Sequence, residues 1–308
     1  MRKNSKLIFF GSSDFAVPCF RTLIKEKYDI TAVVTQPDKP AGRRGAMSPT
    51  AIKVEAIKAG KKVLNSLDVD HFKKMKAEAG VVASFGRLIP SKIIKIFPAG
   101  CLNLHPSLLP KYRGPSPIQT AILNGDKVTG VTIIQLDEKM DHGPIVAQEE
   151  VIINDRTAEE LSIALAVRGA NLLTKVLPSY LTGNLKLKPQ DESQATLTAL
   201  LKKEDGHIDC HKSAKAIERQ MRAYWPWPGN FIEITAQSGK SVTLKLIIAK
   251  AVVFSSSLMP GSIFTQNNQL YLQCYRSCLL IKQIQPAGKK IMPDNEFING
   301  YSHYLTRL

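Results

Sequence analysis

Leu7-Ile8-Phe9-Phe10-Gly11-Ser12-Ser13-Asp14-Phe15, running on through Ala16-Val17-Pro18-Cys19-Phe20 to Ile30-Thr31-Ala32-Val33-Val34-Thr35, reads as strand, turn, helix, strand. The apolar run 7–10 is closed by Gly11, residues 16–27 carry a helical pattern, and 30–35 is extended again. The alternation continues downstream. Thr50 is placed to cap a helix over 51–59 that Gly60 stops. A helix around 69–78 leads into a strand over 81–84 that ends at Phe85-Gly86. Residues 90–97 read helical, Pro98-Ala99-Gly100 turns, and 101–105 is extended; a strand over 130–137 and a long amphipathic helix over 157–181 follow. Strands alternating with helices predict an α/β fold, a mostly parallel sheet with helices on both faces.

The pattern changes near residue 183. A polar stretch (Lys186, Lys188, Pro189, Gln190, Asp191, Glu192, Ser193, Gln194) reads as a linker, which divides the chain into residues 1–184, a linker over 185–205 and a second domain over 206–308. The second domain opens with a helix over 212–224, stopped by Trp225-Pro226-Trp227-Pro228-Gly229. The rest is strand-like, over 231–235, 242–254, 261–264, 270–274 and 279–284. Short strands joined by turn residues predict a small barrel or a curled antiparallel sheet. Trp225 and Trp227, set among prolines, read as packing residues.

With 308 residues the chain is long enough for about two domains with self-sufficient cores. Its 44% hydrophobic and 22% charged residues separate it from disordered chains. No apolar run approaches the roughly 20 residues of a membrane span. Arg2, Lys3 and Lys6 before 7–10 imitate a signal peptide, but Gly11-Ser12-Ser13-Asp14 cuts the apolar run short, so a cytoplasmic location is expected. Cys19, Cys101, Cys210, Cys274 and Cys278 are odd in number and dispersed, without a CxxC pair or a zinc-like cluster; reduced buried thiols and no metal are expected. The formal net charge is +16 and both halves are basic, which suits a polyanionic partner and equally a solvated surface.

The turn 11–15 has one glycine where the dinucleotide fingerprint has three, so NAD or FAD binding is not supported. The most informative segment is Asn103-Leu104-His105-Pro106-Ser107-Leu108-Leu109-Pro110-Lys111-Tyr112-Arg113-Gly114. Asn103 and His105 stand two apart on an extended run and share a face. At the carboxyl edge of a parallel sheet that face opens into a ligand crevice. An amide donor beside an imidazole can stabilise an oxyanion and handle a proton; the same pair also serves as structure. Downstream, the loop after 130–137 carries Asp141-His142-Gly143-Pro144. Asp141 can return a carboxylate to the Asn/His edge or form a turn on its own backbone. His142 competes as an imidazole but has no donor partner at same-face spacing.

The run 103–114 together with Asp141-His142-Gly143-Pro144 resembles the folate-dependent formyltransferases, whose Asn, His and Asp triad corresponds to Asn103, His105 and Asp141. The stretch Gln36-Pro37-Asp38-Lys39-Pro40-Ala41-Gly42-Arg43-Arg44-Gly45 is similar to the basic insertion loop of the branch that acts on methionyl-tRNA. Arg222-Ala223, Pro226-Trp227-Pro228-Gly229 and Gln285-Pro286-Ala287-Gly288-Lys289-Lys290 resemble that branch's C-terminal domain. Two departures stand out: Phe85 precedes Gly86 where the family has a Tyr-Gly pair after a longer strand, and Cys210 follows Ile208-Asp209 where an aromatic is common.

The resemblance implies a Rossmann-like catalytic domain followed by an OB-like barrel. It further implies transfer of a formyl group from 10-formyltetrahydrofolate, a co-substrate, to the α-amino group of initiator methionyl-tRNA for translation initiation. Asn103 and protonated His105 would hold the oxyanion, and Asp141 would support the imidazole and help move the amine proton. Ser107, Leu108, Leu109 and Pro110 would line the folate site, with Phe85, Gly86, Arg87 and Leu88 and the loop 137–141 near the pterin. Lys39, Arg43, Arg44, Lys289 and Lys290 would contact the tRNA, and a monomer with no membrane partner is expected. The alternatives are a formyltransferase for an amino-sugar nucleotide, a non-catalytic RNA-binding protein on the same scaffold, and a deformylating hydrolase in which the same triad activates water, which would not need the basic surface.

Overall fold

In the computed structural model, which describes residues 5–41, 46–235, 239, 241–254 and 256–306, the first strand β1 (Lys6–Gly11) sends consecutive phenylalanines to opposite faces. Phe9 meets Phe20 of helix α1 (Ala16–Lys25) with ring centroids 5.4 Å apart. Phe10 meets Phe72, Phe85 and Phe97 on the other side. An apolar residue at every position is what a strand covered on both faces requires. Next in the chain come β2 (Asp29–Val34) and a two-stranded antiparallel ribbon, β3 (Lys39–Ala41) with β4 (Ala46–Ser48). They are followed by α2 (Ala51–Lys58), β5 (Val63–Leu64), α3 (Val69–Met75), β6 (Ala79–Ala83), α4 (Ser91–Ile94) and β7 (Cys101–His105). Thr50 caps α2 by accepting from the Lys53 amide, as its position predicts, and Asp68 caps α3 through the Asp70 and His71 amides.

After β7 come α5 (Pro117–Asn124), β8 (Val128–Gln135), β9 (Ile145–Ile152) and α6 (Ala158–Leu181). The seven-stranded sheet has the order β5-β2-β1-β6-β7-β8-β9. It is parallel through β7; β8 runs antiparallel to β7, and β9, antiparallel to β8, resumes the direction of β7. Phe10, Val82, Asn103 and Ile134 lie in register across one face. Leu104 belongs to the opposite face, where Gly169 of α6 allows close packing: a Cβ on that glycine would stand 2.3 Å from Leu104 Cδ1. Among the described residues α6 alone has the length and hydropathy to cross a membrane. Its side chains Leu161, Leu165, Leu173 and Leu177 are buried.

The chain divides into two compact units, one of residues 1–117, 127–153 and 161–199, the other of 118–126, 154–160 and 200–308. The stretch 185–199, read as part of a linker, thus groups with the first unit. In the second unit α7 (Ala214–Ala223), capped by Ser213, lies against an antiparallel sheet. Its strands are β10 (Phe231–Thr235), β11 (Ser241–Val252), β12 (Ile263–Gln266), β13 (Gln269–Cys274), β14 (Ser277–Pro286) and β15 (Met292–Pro293), followed by α8 (Asp294–Gly300). The sheet order is β10-β11-β14-β13-β12 with β15 on β14, and the register shifts between Leu246 and Ala249 bend it into the curled sheet of a small barrel. Ile217, Met221, Leu246, Leu272, Ile281 and Phe297 fill the inside, together with Cys210. Each fully buried apolar side chain of this size contributes about 1.5–3 kcal/mol. Trp225 is half-buried; Trp227, expected to pack, is 54% exposed.

Candidate active site

β7 ends at the carboxyl edge of the parallel strands, and the order of the sheet places β1 between β2 and β6, a switch point where open α/β sheets form crevices. Asn103 and His105 leave β7 on the same face. The loop between β8 and β9 brings Asp141 to them: its Oδ1 accepts from Asn103 Nδ2 at 3.3 Å, and its Oδ2 accepts from the Gly114 amide at 2.9 Å and lies 3.5 Å from His105 Nδ1. The other imidazole nitrogen, Nε2, donates to the Tyr112 carbonyl at 3.0 Å, since a carbonyl only accepts. His105 is buried, and Asn103 and Asp141 are half-buried.

Asp141 holds a left-handed backbone, φ 51°, a conformation that costs roughly 1–3 kcal/mol and persists where surrounding contacts over-determine it. Those contacts come from several directions. Gly143 sits so close to β8 that a Cβ would fall 1.8 Å from the Gln135 carbonyl oxygen. Gly114 has φ 113°, and a Cβ there would meet the Thr198 carbonyl oxygen at 2.9 Å. Upstream in the same loop, Glu138 accepts from Ser91 Oγ at 2.8 Å and Lys95 Nζ at 3.0 Å. His142 pairs with other carboxylates, its Nδ1 2.5 Å from Asp137 Oδ2 and its Nε2 3.5 Å from Glu192 Oε1.

The segment 188–199 supplies residues that pattern reading missed. Gln190 Nε2 donates to the carbonyls of Asp141 and Gly143, both at 2.8 Å, while its Oε1 accepts from Arg113 Nη2 at 2.8 Å and Nε at 3.1 Å. Arg113, buried, forms a two-pronged pair with Glu192 at 2.6 and 3.0 Å. The guanidinium holds the Glu192 carboxyl below the usual carboxylate range. Thr196 and Thr198 extend the contact, bonding the Tyr112 amide and the Arg113 main chain. No periodicity or motif flags these partners; only the polarity of the stretch around Gln190 hints at them.

The remaining expected positions fall into distinct places. Ser107 and Leu109 are buried and their polar atoms are taken up by the loop and by β8: Ser107 Oγ donates to Lys111 O, Ser107 O accepts from Thr132 Oγ1, and Leu109 N donates to Thr132 Oγ1. Leu108 and Pro110 are half-buried. The Phe85 ring is in the core and its carbonyl accepts from Ser12 Oγ and Gln36 Nε2. Gly86 and Arg87 are exposed, with Arg87 Nη1 donating to Asn65 O, and Leu88 is 80% exposed. Lys39 is exposed on the β3–β4 ribbon; Arg43 and Arg44 lie outside the described residues. Lys289 and Lys290, in the second unit, are exposed in the turn between β14 and β15. Among the described residues no group of three or more His, Cys, Asp or Glu is arranged to hold a metal.

Residues 5–177 match the family described as Formyl transferase, and residues 200–302 the family described as Formyl transferase, C-terminal domain. The chain is 40% identical over 305 residues to a methionyl-tRNA formyltransferase of Chloroflexus aggregans, covering 96% of this chain and 97% of that one. It is likewise 40% identical over 304 residues to one of Thermodesulfovibrio yellowstonii, covering 96% of each. In fold it is similar to HypX from Aquifex aeolicus in complex with tetrahydrofolic acid, with a TM-score of 0.67 at 16% identity; the alignment covers 97% of this chain and 48% of HypX, so the chain spans about half that protein's length.

Proposed function

This chain belongs to the methionyl-tRNA formyltransferase family, and from that premise we propose that it transfers a formyl group from 10-formyltetrahydrofolate to the α-amino group of initiator methionyl-tRNA. The observation that carries the reading is the convergence on Asp141 of the Asn103 amide, the Gly114 amide and the His105 imidazole at the edge of the sheet. The folate substrate fits the loops at that edge. Gly86 is exposed, Leu88 holds an apolar side chain out in solvent, and half-buried Leu108 and Pro110 add apolar surface. That mixture suits a flat heterocycle with polar edges. Phe85, Gly86, Arg87, Leu88 and the 107–110 and 137–141 loops would hold it.

The folate brings a formyl carbon bonded to a nitrogen leaving group. Asn103 Nδ2 has two hydrogens, one committed to Asp141, and its second donates to the formyl oxygen as charge develops there. His105, anchored between Asp141 and the Tyr112 carbonyl, adds positive charge when protonated. The attacking amine loses a proton as its bond to carbon forms, and the Asp141–His105 pair receives it and returns it to the departing folate nitrogen. Lys39, Arg43, Arg44, Lys289 and Lys290 contact the tRNA phosphates. Residues 1–184 form the catalytic domain, completed by Gln190 and Glu192 from the stretch 185–205, and 206–308 share tRNA binding with the loop 36–45. The chain acts as a monomer in the cytoplasm, with tRNA and folate as partners and no membrane.

The test supplies 10-formyltetrahydrofolate with charged initiator tRNA, with an amino-sugar nucleotide, and with no acceptor. Formylated methionyl-tRNA alone is expected. Formylated sugar would reassign the acceptor and the basic residues, and absence of any transfer alongside tight tRNA binding would leave a binding protein on an enzyme scaffold.

A further inference from the structure

We infer that Gln190 is a positioning residue for formyl transfer: its side-chain amide latches the loop that carries Asp141 onto the Arg113–Glu192 pair. This rests on the reading of Asp141 as a participant in the reaction. The orientation of the amide is dictated by its neighbours. Two carbonyl oxygens, of Asp141 and Gly143, can only accept, and both stand 2.8 Å from Nε2. The Arg113 guanidinium can only donate, and it meets Oε1 at 2.8 and 3.1 Å. Gln190 thus ties the main chain of Asp141 itself, and of Gly143 two residues on, to a buried cation that is itself fixed by Glu192. The latch sits where the backbone is least able to hold itself, at a non-glycine residue with φ 51°. Freed from Gln190, Asp141 keeps its side-chain bonds to Asn103 and Gly114 only by carrying the whole turn. A displacement of about 1 Å at a reacting group can cost about a hundredfold in rate.

Gln190→Glu separates the two halves of the latch. It keeps the shape and the contact with Arg113, but sets a carboxylate oxygen against the carbonyls of Asp141 and Gly143. In the full-length protein it is expected to lower kcat about a hundredfold, with KM for folate and for methionyl-tRNA within about twofold of wild type. In an Asp141→Asn background the same change should cost less than about twofold, because a residue that acts through Asp141 has nothing left to position. Undiminished kcat in Gln190→Glu would overturn the latch while leaving the transfer reading intact, and so would a hundredfold cost that persists without the Asp141 carboxylate. Wild-type transfer by Asp141→Asn alone would mark failure of the underlying reading. Should Gln190→Glu fail to fold, Gln190→Met, which removes both halves of the latch at similar volume, is expected to show the same loss of kcat and the same non-additivity.

Discussion

At the scale of single residues the proposed transfer turns on Asn103, whose amide gives one of its two hydrogens to Asp141. Asn103→Leu keeps the approximate volume and removes the donor. Its expected effect is a fall in kcat of about 10²–10³, the usual cost of one oxyanion donor, with KM for both substrates little changed. Steady-state kinetics with charged initiator tRNA reads this directly; a rise in KM at unchanged kcat would mean that the amide holds the ground state and not the developing charge. The Asn103 and His105 pair was legible in the chain because spacing of two on a strand fixes a shared face. The residues left Asp141 open between a partner for that pair and a turn-former, and only the resemblance chose, since its approach to Asn103 spans 38 positions of sequence and depends on the loop after β8. The partners of His142, Asp137 and Glu192, could not be read from spacing at all.

Among the elements, the segment 188–199 packs against the Asp141 loop with little secondary structure to announce it: a 3-10 turn over Glu192–Gln194 and single β-bridges at Lys188 and Leu197. Its hold depends on charge. Arg113 keeps the Glu192 carboxyl below the usual carboxylate range, so the folded chain retains the ion at pH values where the unfolded chain takes up a proton. The stabilisation is therefore full above about pH 4.5, the ordinary range for a glutamate, and fades as pH falls through the lowered folded value. Asp191, lowered by the Ser193 hydroxyl and amide, adds a second acid-sensitive anchor. Hydrogen exchange corrected for intrinsic rates should show protection at the Arg113 and Thr198 amides dropping in acid for the wild type. In Glu192→Gln it should already be weak at neutral pH and change less, with Asp191 supplying what remains. Matching acid profiles in the two proteins would remove Glu192 from that role. β9 escaped the reading for a related reason: Gln148, Glu149 and Glu150 interrupt its apolar pattern, because one face of this edge strand meets solvent.

Across the whole molecule, the β/α alternation and the short even strands made both architectures legible, because each leaves a contiguous pattern of burial. What contiguity hides is the regrouping of pieces: residues 118–126 and 154–160 belong with the second unit although they precede the polar stretch that suggested a boundary. The cysteines provide a measurement at this scale. All five are free and buried. Burial pushes Cys19, Cys101 and Cys274 up to about 12 and Cys210 up to about 11, so thiolate, the reactive form, is scarce at ordinary pH. The native protein should therefore react slowly with a thiol reagent. Cys19 and Cys101 lie in the first unit; Cys210, Cys274 and Cys278 lie in the second, and Cys101 and Cys274 sit in separate hydrophobic clusters. Pulsed thiol labelling across a denaturant series, read by mass spectrometry, should expose the pair and the trio in two separate steps, each set as a unit. Labelling of all five in a single step would show instead that the two cores unfold together, and that the stability of each depends on the other.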